Sequence, residues 1–381
     1  MLIYEKDSLG RSFLEIVFLN AGSIFAPDGV ANFAKEIINR GTKEKKERFF
    51  NELEEDAINI NFNVNHEYFT VSLKCLNSKR KKAIDKLTEL FSNLNLTEEA
   101  FEKTKKEIIA KKENLKNNND YIANKNLYRA VFENTPLALP VIGEDIENIT
   151  LYDVKNFISE KLTQNTILIN GGAEFEYEKF LNILPKGKKE KYPFFHPKQK
   201  DIKETKKLQQ SYIYFASDFN INKNELHLAK IATFILGSGG FGSRIMEEIR
   251  VKKGYAYSAY AFNTFKKTHK LLSGYMQTKL ENTEDAINTL KNIINDFIDK
   301  GITKEELSDA KKFLLGSEPL RNETLAQRLL KKFNEIYLEL PKDYYKKELD
   351  LIKNTSIDEV NNFIKKYQNI KNLSFSILTN E

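Results

Sequence analysis

Three polar residues near the start of the chain share one face of a short predicted helix. Asn32, Lys35 and Glu36 lie in the stretch "GVANFAKEIINRGT" (29–42), at positions i, i+3 and i+4 of the helix. Histidines and carboxylates at such a spacing hold catalytic metal ions. Here the ammonium of Lys35 would repel a cation, and the amide of Asn32 is a poor zinc ligand. The face therefore has the spacing of a metal site without its ligands.

A second candidate for chemistry is the glycine-rich stretch "ILGSGGFGSRIMEEIRVKKGYAYSAYAF" (235–262). Gly237, Gly239 and Gly242 fit the pattern G-x-G-x-x-G of dinucleotide-binding loops, which requires a preceding strand and an acidic residue about 20 positions further on. Apolar residues at helical spacing precede these glycines instead, and no Asp or Glu occurs between Glu248 and Glu281. We therefore predict a helix that ends in a tight loop, and we reject the nucleotide site.

Other nucleophilic and metal-ligating residues are few and scattered. None of the four histidines is paired with another at helical spacing, and the single cysteine, Cys75, has no histidine near it in the sequence. No G-x-S-x-G elbow is present. A self-sufficient hydrolase that uses another nucleophile therefore has little support.

The composition predicts a soluble protein with a mixed-charge surface. The 381 residues, of which 41% are hydrophobic, suffice for two or three domains. The 60 basic and 54 acidic residues are interleaved, which argues against nucleic acid as a partner. No apolar run approaches the ~20 residues of a membrane span, and acidic residues near the start replace the apolar run of a signal peptide. We expect a cytoplasmic protein, or a periplasmic one if a leader has been removed.

Strands and helices alternate along the first half. Residues 13–19 have the apolar run of a buried strand, and residues 57–64 and 68–75 alternate between apolar and polar as the two strands of a hairpin do. Charged amphipathic helices follow at about 79–93 and 97–117. This order predicts an α+β fold in which helices cover a largely antiparallel sheet.

Two motifs of the first half recur in the second half at the same distance. "TEEAFEKTKK" from Thr97 corresponds to "TKEELSDAKK" from Thr303, and "DVKNFI" with Val154 corresponds to "EVNNFI" with Val360. Both offsets are 206 residues. Two matches at one domain-sized period indicate a duplication. We therefore predict two similar α/β domains.

The domains are predicted to be joined by the lysine-rich stretch at 185–207, which contains three prolines. We place the first domain at residues 1–185, the linker at 186–208 and the second domain at 209–381.

The glycine-rich stretch resembles the second-domain signature of the insulinase/pitrilysin-like metallopeptidases, the group that includes mitochondrial processing peptidase. "LGSGGFGSR", "EEIR" and "KKGYAYS" have the order and spacing of that signature. Further similar residues occur at 21–23, 40–42, 140–150 and 301–307, so the resemblance extends over nearly the whole chain. It implies two tandem homologous α/β domains, each a largely antiparallel sheet covered by helices.

The resemblance also implies that the zinc site of the first domain has been lost. Catalytic members carry His-x-x-Glu-His, in which the histidines bind zinc and the glutamate activates water. Asn32, Lys35 and Glu36 occupy these three positions here. The family's third ligand would fall near Glu113. We therefore expect no zinc in this chain.

The second half of the family's active site is retained. The family uses an arginine and a tyrosine, seven residues apart, to bind the backbone of the scissile segment and to stabilise the oxyanion, and Arg250 and Tyr257 match them. The structural alternative is an ordinary helix-surface arginine and a strand aromatic. Four loop glycines would let the backbone approach a substrate or the other domain, with tight packing as their alternative explanation: Gly237, Gly239, Gly240 and Gly242.

A lost metal motif beside a retained Arg and Tyr resembles the non-catalytic subunit of the two-chain members. The expected function is that of a partner subunit in a heteromeric zinc endopeptidase. Zinc would reside in a homologous partner chain, and the substrate would be a peptide or an extended protein segment. The alternative is a non-enzymatic scaffold or assembly subunit, which leaves the presence of Arg250 and Tyr257 unexplained.

Overall fold

A computed structural model of the chain describes residues 1–380, and they form two compact units. The first unit consists of Met1–Leu115, Leu139–Tyr192 and Asn322–Phe333. The second consists of Lys116–Ala138, Pro193–Arg321 and 334–380.

The first unit is built on a five-stranded sheet of order β1-β5-β2-β4-β3, in which only the β1–β5 pair is parallel. The strands are β1 (Leu2–Glu5), β2 (Arg11–Leu19), β3 (Asn59–Val64), β4 (Tyr68–Leu76) and β5 (Thr166–Gly171). The helices are α1 (Val30–Ile38), α2 (Arg48–Glu55), α3 (Arg80–Ser92), α4 (Glu98–Leu115), α6 (Leu151–Lys161), α7 (Glu178–Leu181) and most of α12 (Leu325–Tyr337).

The second unit is built on a sheet of order β6-β10-β7-β9-β8, in which only the β6–β10 pair is parallel. The strands are β6 (Ile202–Thr205), β7 (Gln210–Asp218), β8 (Ala256–Phe265), β9 (Lys270–Lys279) and β10 (Ser374–Thr379). The helices are α5 (Asn119–Val131), α8 (Leu226–Thr233), α9 (Arg244–Met246), α10 (Thr283–Lys300), α11 (Lys304–Gly316), α13 (Tyr344–Asn354) and α14 (Ile357–Lys366). Two π-helical segments, Phe234–Ser238 and Glu247–Lys252, follow α8 and α9.

The strands form where the apolar alternation predicts them. β3 and β4 pair antiparallel from Asn59 opposite Lys74 to Val64 opposite Phe69, which confirms the predicted hairpin. Ile60 and Val64 of β3 face the core, whereas Asn59, between Ile58 and Ile60 in sequence, is exposed. The helices predicted at 79–93 and 97–117 are α3 and α4.

The duplication is confirmed by the topology, because the two sheets have the same strand order and each has its single parallel pair at the same edge. The recurring motif also has the same local structure in both places. "DVKNFI" lies in α6 and "EVNNFI" lies in α14, and both helices begin with a reciprocal capping box, from Thr150 and Ser356 respectively. The prediction of similar α/β units with largely antiparallel sheets is therefore confirmed.

Each compact unit is made of segments that are not continuous in sequence. Residues 116–138, inside the predicted first domain, belong to the second unit, where Ile122 and Ala123 of α5 pack against Leu378 of β10. The predicted linker also contains strand β6, whose backbone pairs with β10. In both places, the apolar face or the backbone of the segment is satisfied by an element that lies far away in the sequence.

Within residues 1–380, every helix is either too short or too polar to cross a bilayer.

Candidate functional site

The helix that carries the altered metal motif is α1, which packs against α4 and α6 of the first unit. The rings of Phe33 on α1 and Phe101 on α4 are stacked, with their centroids 4.7 Å apart. One turn after Phe33, Glu36 meets the part of α4 that carries Lys111. The stacking contact thus sets which residues of α4 lie against the motif.

Two of the three motif positions, Lys35 and Glu36, form ion pairs in place of a metal site. Glu36 Oε1 lies 2.9 Å from Lys35 Nζ and 3.3 Å from Lys111 Nζ. Burial alone would raise the pKa of Glu36, but the hydrogen bonds and charges of Lys35 and Lys111 outweigh it and hold this pKa below its ordinary value. Two ammonium groups thus neutralise the one carboxylate at this position.

These residues do not fit a zinc ion. Asn32 is 4% exposed and its side-chain Nδ2 has no hydrogen-bond partner among the described residues. Across residues 1–380, no three or more His, Cys, Asp or Glu side chains are grouped so that they could hold a metal ion. The predicted third-ligand position, Glu113, is exposed on α4, two residues after Lys111. Because side chains two apart on a helix point in different directions, Lys111 and not Glu113 faces Glu36.

The glycine-rich loop of the second unit follows a helix, as predicted. α8 ends at Thr233, and the π-helical segment Phe234–Ser238 continues it into the loop. The N–H of Gly239 donates to the Phe234 carbonyl at 2.9 Å, which is the i to i+5 hydrogen bond of a π-helix. The predicted helix before the loop is confirmed, and it lies where a dinucleotide-binding fold has a strand.

The four loop glycines differ in whether their positions require glycine and why. A Cβ on Gly237 would lie 2.5 Å from the Ala261 nitrogen of β8, and one on Gly239 would lie 2.8 Å from the Phe234 oxygen, so tight packing explains both. Gly240 has a φ of +65°, which favours glycine. Gly242 has neither a positive φ nor any atom within 4 Å of a Cβ built on it. Gly242 therefore leaves open space beside its backbone.

The guanidinium of Arg250 lies against two aromatic rings. Its central carbon is 4.5 Å from the ring centroid of Tyr257 and 4.7 Å from that of Phe241. The structure thus brings together Arg250 and Tyr257, the two residues that the sequence singled out. Tyr257 is 82% exposed, so its hydroxyl faces solvent.

The side chain of Arg250 has no polar partner. It forms no hydrogen bond or ion pair with another residue in the part of the chain that the structure describes. Arg244 provides the contrast: its guanidinium stacks on Phe297, and it also donates to both carboxylate oxygens of Glu306 at 2.6 and 2.8 Å. The donors of Arg250 are therefore available to an external acceptor.

A β-bulge directs Tyr257 away from the core. Ala256 and Ala259 both contribute to the core of the second unit although they are three residues apart, and the pairing of β8 with β9 shifts register between them. An extra residue in the strand breaks the alternation of faces, which places Tyr257 and Ser258 in the bulge. β8 is also the edge strand of its sheet, so one side of its backbone is unpaired within the sheet.

The neighbouring tyrosine of β8 has a packing role. Tyr260 lies opposite Tyr275 of β9, which in turn lies opposite Tyr214 of β7, and adjacent rings are 5.6 and 4.8 Å apart. The hydroxyl of Tyr214 donates to Asp120 Oδ1 at 3.2 Å. Burial, with the charge of Asp120, raises the pKa of Tyr260. Tyr260 thus belongs to a cross-strand row of tyrosines.

Sequence reasoning did not identify Phe241 or Lys111 as part of either site. Phe241 could have been noticed as the one large apolar residue in "GSGGFGS", where glycine and serine leave no reason for a core position. Lys111 gave no signal, because it is one of many lysines in α4 and its importance depends on the packing of α1 on α4.

Comparison with known proteins supports the same relationship. The family model described as insulinase (peptidase family M16) matches residues 3–145, and the model described as the peptidase M16 inactive domain matches residues 149–314.

Individual relatives agree with these matches. A Helicobacter pylori protein named non-peptidase homolog YmxG is 37% identical over 397 residues, covering 100% of this chain and 92% of the relative. The Dictyostelium discoideum mitochondrial-processing peptidase subunit beta is 22% identical over 227 residues, covering 58% of this chain and 47% of that protein. The crystal structure of a peptidase M16 inactive domain from Pseudomonas fluorescens has a TM-score of 0.88 at 20% identity, covering 100% of this chain and 95% of that one. With both halves matched and one relative 37% identical across the whole of this chain, the chain belongs to the insulinase family of peptidases, family M16, as a relative without the family's zinc motif.

Proposed function

We propose that this chain is the non-catalytic subunit of a heteromeric zinc endopeptidase, to which it supplies Arg250 and Tyr257. The observation that carries the proposal is the state of Arg250, which is stacked on two rings but has no polar partner among residues 1–380. A structural arginine normally uses its five donors within its own protein, as Arg244 does with Glu306. Arg250 keeps these donors for an acceptor outside the described chain.

The two side chains suit different parts of peptide hydrolysis. A guanidinium that is always charged and planar holds peptide carbonyl oxygens, in the substrate as well as in the transition state. The phenol of Tyr257 donates a hydrogen bond to the oxygen that becomes negative when the carbonyl is attacked. Because Tyr257 is 82% exposed, its hydroxyl is accessible to such an oxygen.

Zinc belongs to the partner chain in this proposal. The ammonium groups of Lys35 and Lys111 neutralise the Glu36 carboxylate, so no negative charge at the altered motif is left to attract a metal cation. The name non-peptidase homolog, given to the Helicobacter pylori relative, agrees with a chain that does not hydrolyse peptides alone. The similarity to a processing-peptidase subunit supports assembly with a homologous, zinc-bearing chain.

The substrate in this proposal is a peptide or an extended protein segment. Such a segment would add a strand to an exposed sheet edge of the zinc-bearing subunit through backbone hydrogen bonds. We place the complex in the cytoplasm, or in the periplasm if the chain is made with a leader. A neighbouring gene that encodes a His-x-x-Glu-His chain of similar length would identify the partner to be tested.

The decisive experiment is reconstitution with that partner. Neither chain should cleave a peptide alone, and the mixture should be active. Tyr257→Phe removes one hydroxyl without altering assembly or zinc content, so the turnover number should fall by about 100- to 1000-fold with little change in KM. The matched control is Tyr260→Phe, on the same strand, which removes a hydroxyl from the tyrosine row and should leave turnover unchanged.

Arg250→Ala should give a different kinetic result. Because the guanidinium would hold carbonyl groups in the ground state too, KM should rise together with a fall in turnover. If Arg250→Ala and Tyr257→Phe both retained wild-type turnover and KM, the pair would be structural. The chain would then be a scaffold or assembly subunit, which is the alternative function.

A further inference from the structure

We propose that Phe241 is a positioning residue, which together with Tyr257 fixes the guanidinium of Arg250 so that its N–H groups are presented to a peptide carbonyl. The inference rests on the proposed function for the identity of the acceptor. Phe241 itself would not touch the reacting atoms.

The guanidinium of Arg250 is in contact with two aromatic rings. Its guanidinium carbon is 4.7 Å from the Phe241 ring centroid and 4.5 Å from the Tyr257 ring centroid, both within the range of cation–π attraction. An arginine side chain has several rotatable bonds and loses much freedom when it is held in one conformation. Without a polar partner among residues 1–380, the guanidinium of Arg250 is restrained by these rings.

Phe241 is 64% exposed, so its ring does not serve the core of the second unit. It stands between Gly240 and Gly242, at both of which an added Cβ would meet no atom within 4 Å. The ring therefore extends from an open loop, where it makes a cation–π contact with the guanidinium of Arg250.

The loop backbone is held firmly enough to position a ring. The N–H of Gly239 donates to the Phe234 carbonyl at 2.9 Å before Phe241. After it, the N–H and the hydroxyl of Ser243 donate to the Gly240 carbonyl at 2.9 and 2.7 Å, and Ser243 is fully buried. Phe241 thus lies on a short turn that is fixed at both ends.

Arg244 shows what distinguishes a presented guanidinium from a structural one. It too lies over a ring, Phe297, at 5.2 Å, but a carboxylate and the Gly301 carbonyl use its donors. At Arg250, rings restrain the group without using a donor. Aromatic restraint therefore combines a fixed orientation with free N–H groups, which a carboxylate partner cannot do.

The first test uses the full-length chain alone. The order parameter of the Arg250 Nε–Hε group is measured by ¹⁵N relaxation, with the signal assigned by its loss in Arg250→Lys. We expect a restrained group in the wild type and in Phe241→Tyr, and a value below about 0.6 in Phe241→Ala. As a control, Phe262→Ala removes an exposed ring of β8 that has no contact with Arg250. It should leave the order parameter of Arg250 unchanged. Equal order parameters in the wild type and Phe241→Ala would overturn the proposal.

The second test uses the reconstituted pair and measures KM and turnover separately. Phe241→Ala should raise KM about 2- to 5-fold, as expected for the loss of one exposed cation–π contact, and Phe241→Tyr should restore it. A rise in KM that Phe241→Tyr does not restore would contradict a role for the ring.

The two proposals fail in different ways. If Phe241→Ala loosens Arg250 while Arg250→Ala leaves peptide hydrolysis unchanged, the proposed function fails and the restraint by Phe241 stands. If Arg250→Ala weakens hydrolysis while Phe241→Ala leaves Arg250 restrained, the function stands and the positioning role fails.

Discussion

At the scale of single residues, two positions of the altered metal motif form ion pairs. The carboxylate of Glu36 lies between two ammonium groups, those of Lys35 and Lys111, at 2.9 and 3.3 Å. The side chains of Lys35 and Glu36 are only 16% and 24% exposed, so solvent screens this pair less than a surface pair. Removal of the Glu36 charge would leave two ammonium groups that repel each other.

Glu36→Gln should therefore destabilise the protein at neutral pH, by about 1 kcal/mol in the free energy of unfolding. The folded-state pKa of Glu36 is lowered from 4.5, so its stabilisation is present above pH 4.5 and is lost as the pH falls through the lowered value. Urea unfolding of both proteins at pH 7 and in acid measures this difference, which should shrink in acid.

The matched control is Asp309→Asn, because Asp309 forms an exposed pair with Lys312 at 3.2 Å. This change should alter the free energy of unfolding by less than about 0.5 kcal/mol. A Glu36→Gln effect that stayed constant from pH 7 into acid would show that lost packing, and not charge, is responsible.

Tight zinc binding should require the removal of the Lys111 ammonium as well as the restoration of the three motif residues. We expect the purified wild-type chain to contain no stoichiometric zinc, because Lys35 and Asn32 replace a base and a ligand. Asn32→His, Lys35→Glu and Glu36→His together should still bind zinc weakly, since the Lys111 ammonium remains at the site. Addition of Lys111→Glu supplies a carboxylate there.

Metal analysis after dialysis compares the triple and the quadruple variant. One zinc per chain in the quadruple variant and much less in the triple variant is the expected result. Tight zinc in the triple variant would mean that Glu113, the position predicted from sequence, supplies the third ligand.

In each site, the sequence identified the residues whose side-chain chemistry and spacing by themselves suggest a function. Arg250 and Tyr257 were found from their spacing and the family resemblance, and the structure brings them together. Phe241 and Lys111 were missed because their roles depend on distances between segments that no local pattern encodes.

At the scale of elements, the glycine-rich loop is a fixed connection with one open position. Gly237 is pressed against β8, whereas Gly242 has free space and no positive φ. The sequence predicted the helix before the loop, since apolar periodicity is local. It did not predict the π-helical segments or the bulge of β8, because each adds one residue to an otherwise regular element and leaves the apolar pattern nearly unchanged.

Alanine substitutions at two glycines of this loop should therefore differ in effect. In Gly237→Ala, the new Cβ would meet the Ala261 nitrogen at 2.5 Å, so strain should lower the free energy of unfolding by about 1–3 kcal/mol. Gly242→Ala meets nothing within 4 Å and should change it by less than about 0.5 kcal/mol. Urea unfolding of the two variants measures both values. Equal destabilisation would contradict the packing explanation of Gly237.

At the scale of the whole molecule, the duplicated units are not consecutive along the chain. The second unit includes residues 116–138, and the first includes Asn322–Phe333. The latter segment is anchored in its unit by Arg328, whose Nε donates to Glu5 Oε1 at 2.6 Å, and by Phe333, whose ring packs edge-on against Tyr68. The duplication predicted the shared topology. The two segments that join the other unit, 116–138 and 322–333, lie outside the repeated motifs and could not be predicted from them.

Division of the chain between the repeats should therefore yield incomplete units. A fragment of residues 193–381 lacks α5, whose Ile122 and Ala123 cover Leu378 in the whole chain. We expect it to aggregate or to unfold without a cooperative transition, as followed by circular dichroism in urea. A peptide of residues 116–138 should restore the transition, and a peptide with Ile122→Asp should not. A fragment that unfolds cooperatively by itself would show that α5 is dispensable.

Each unit includes a segment from the opposite half of the chain, and this limits when the units can fold on the ribosome. Domains usually fold as units, the N-terminal one first, while the chain is still being synthesised. Here the first unit is incomplete until residues 322–333 have emerged, and α5 waits for β10, which ends at Thr379. Neither unit is complete until most of the chain has left the exit tunnel, so the nascent polypeptide exposes apolar surface for longer than a protein of two consecutive domains would. Its dependence on chaperones during translation should be correspondingly high.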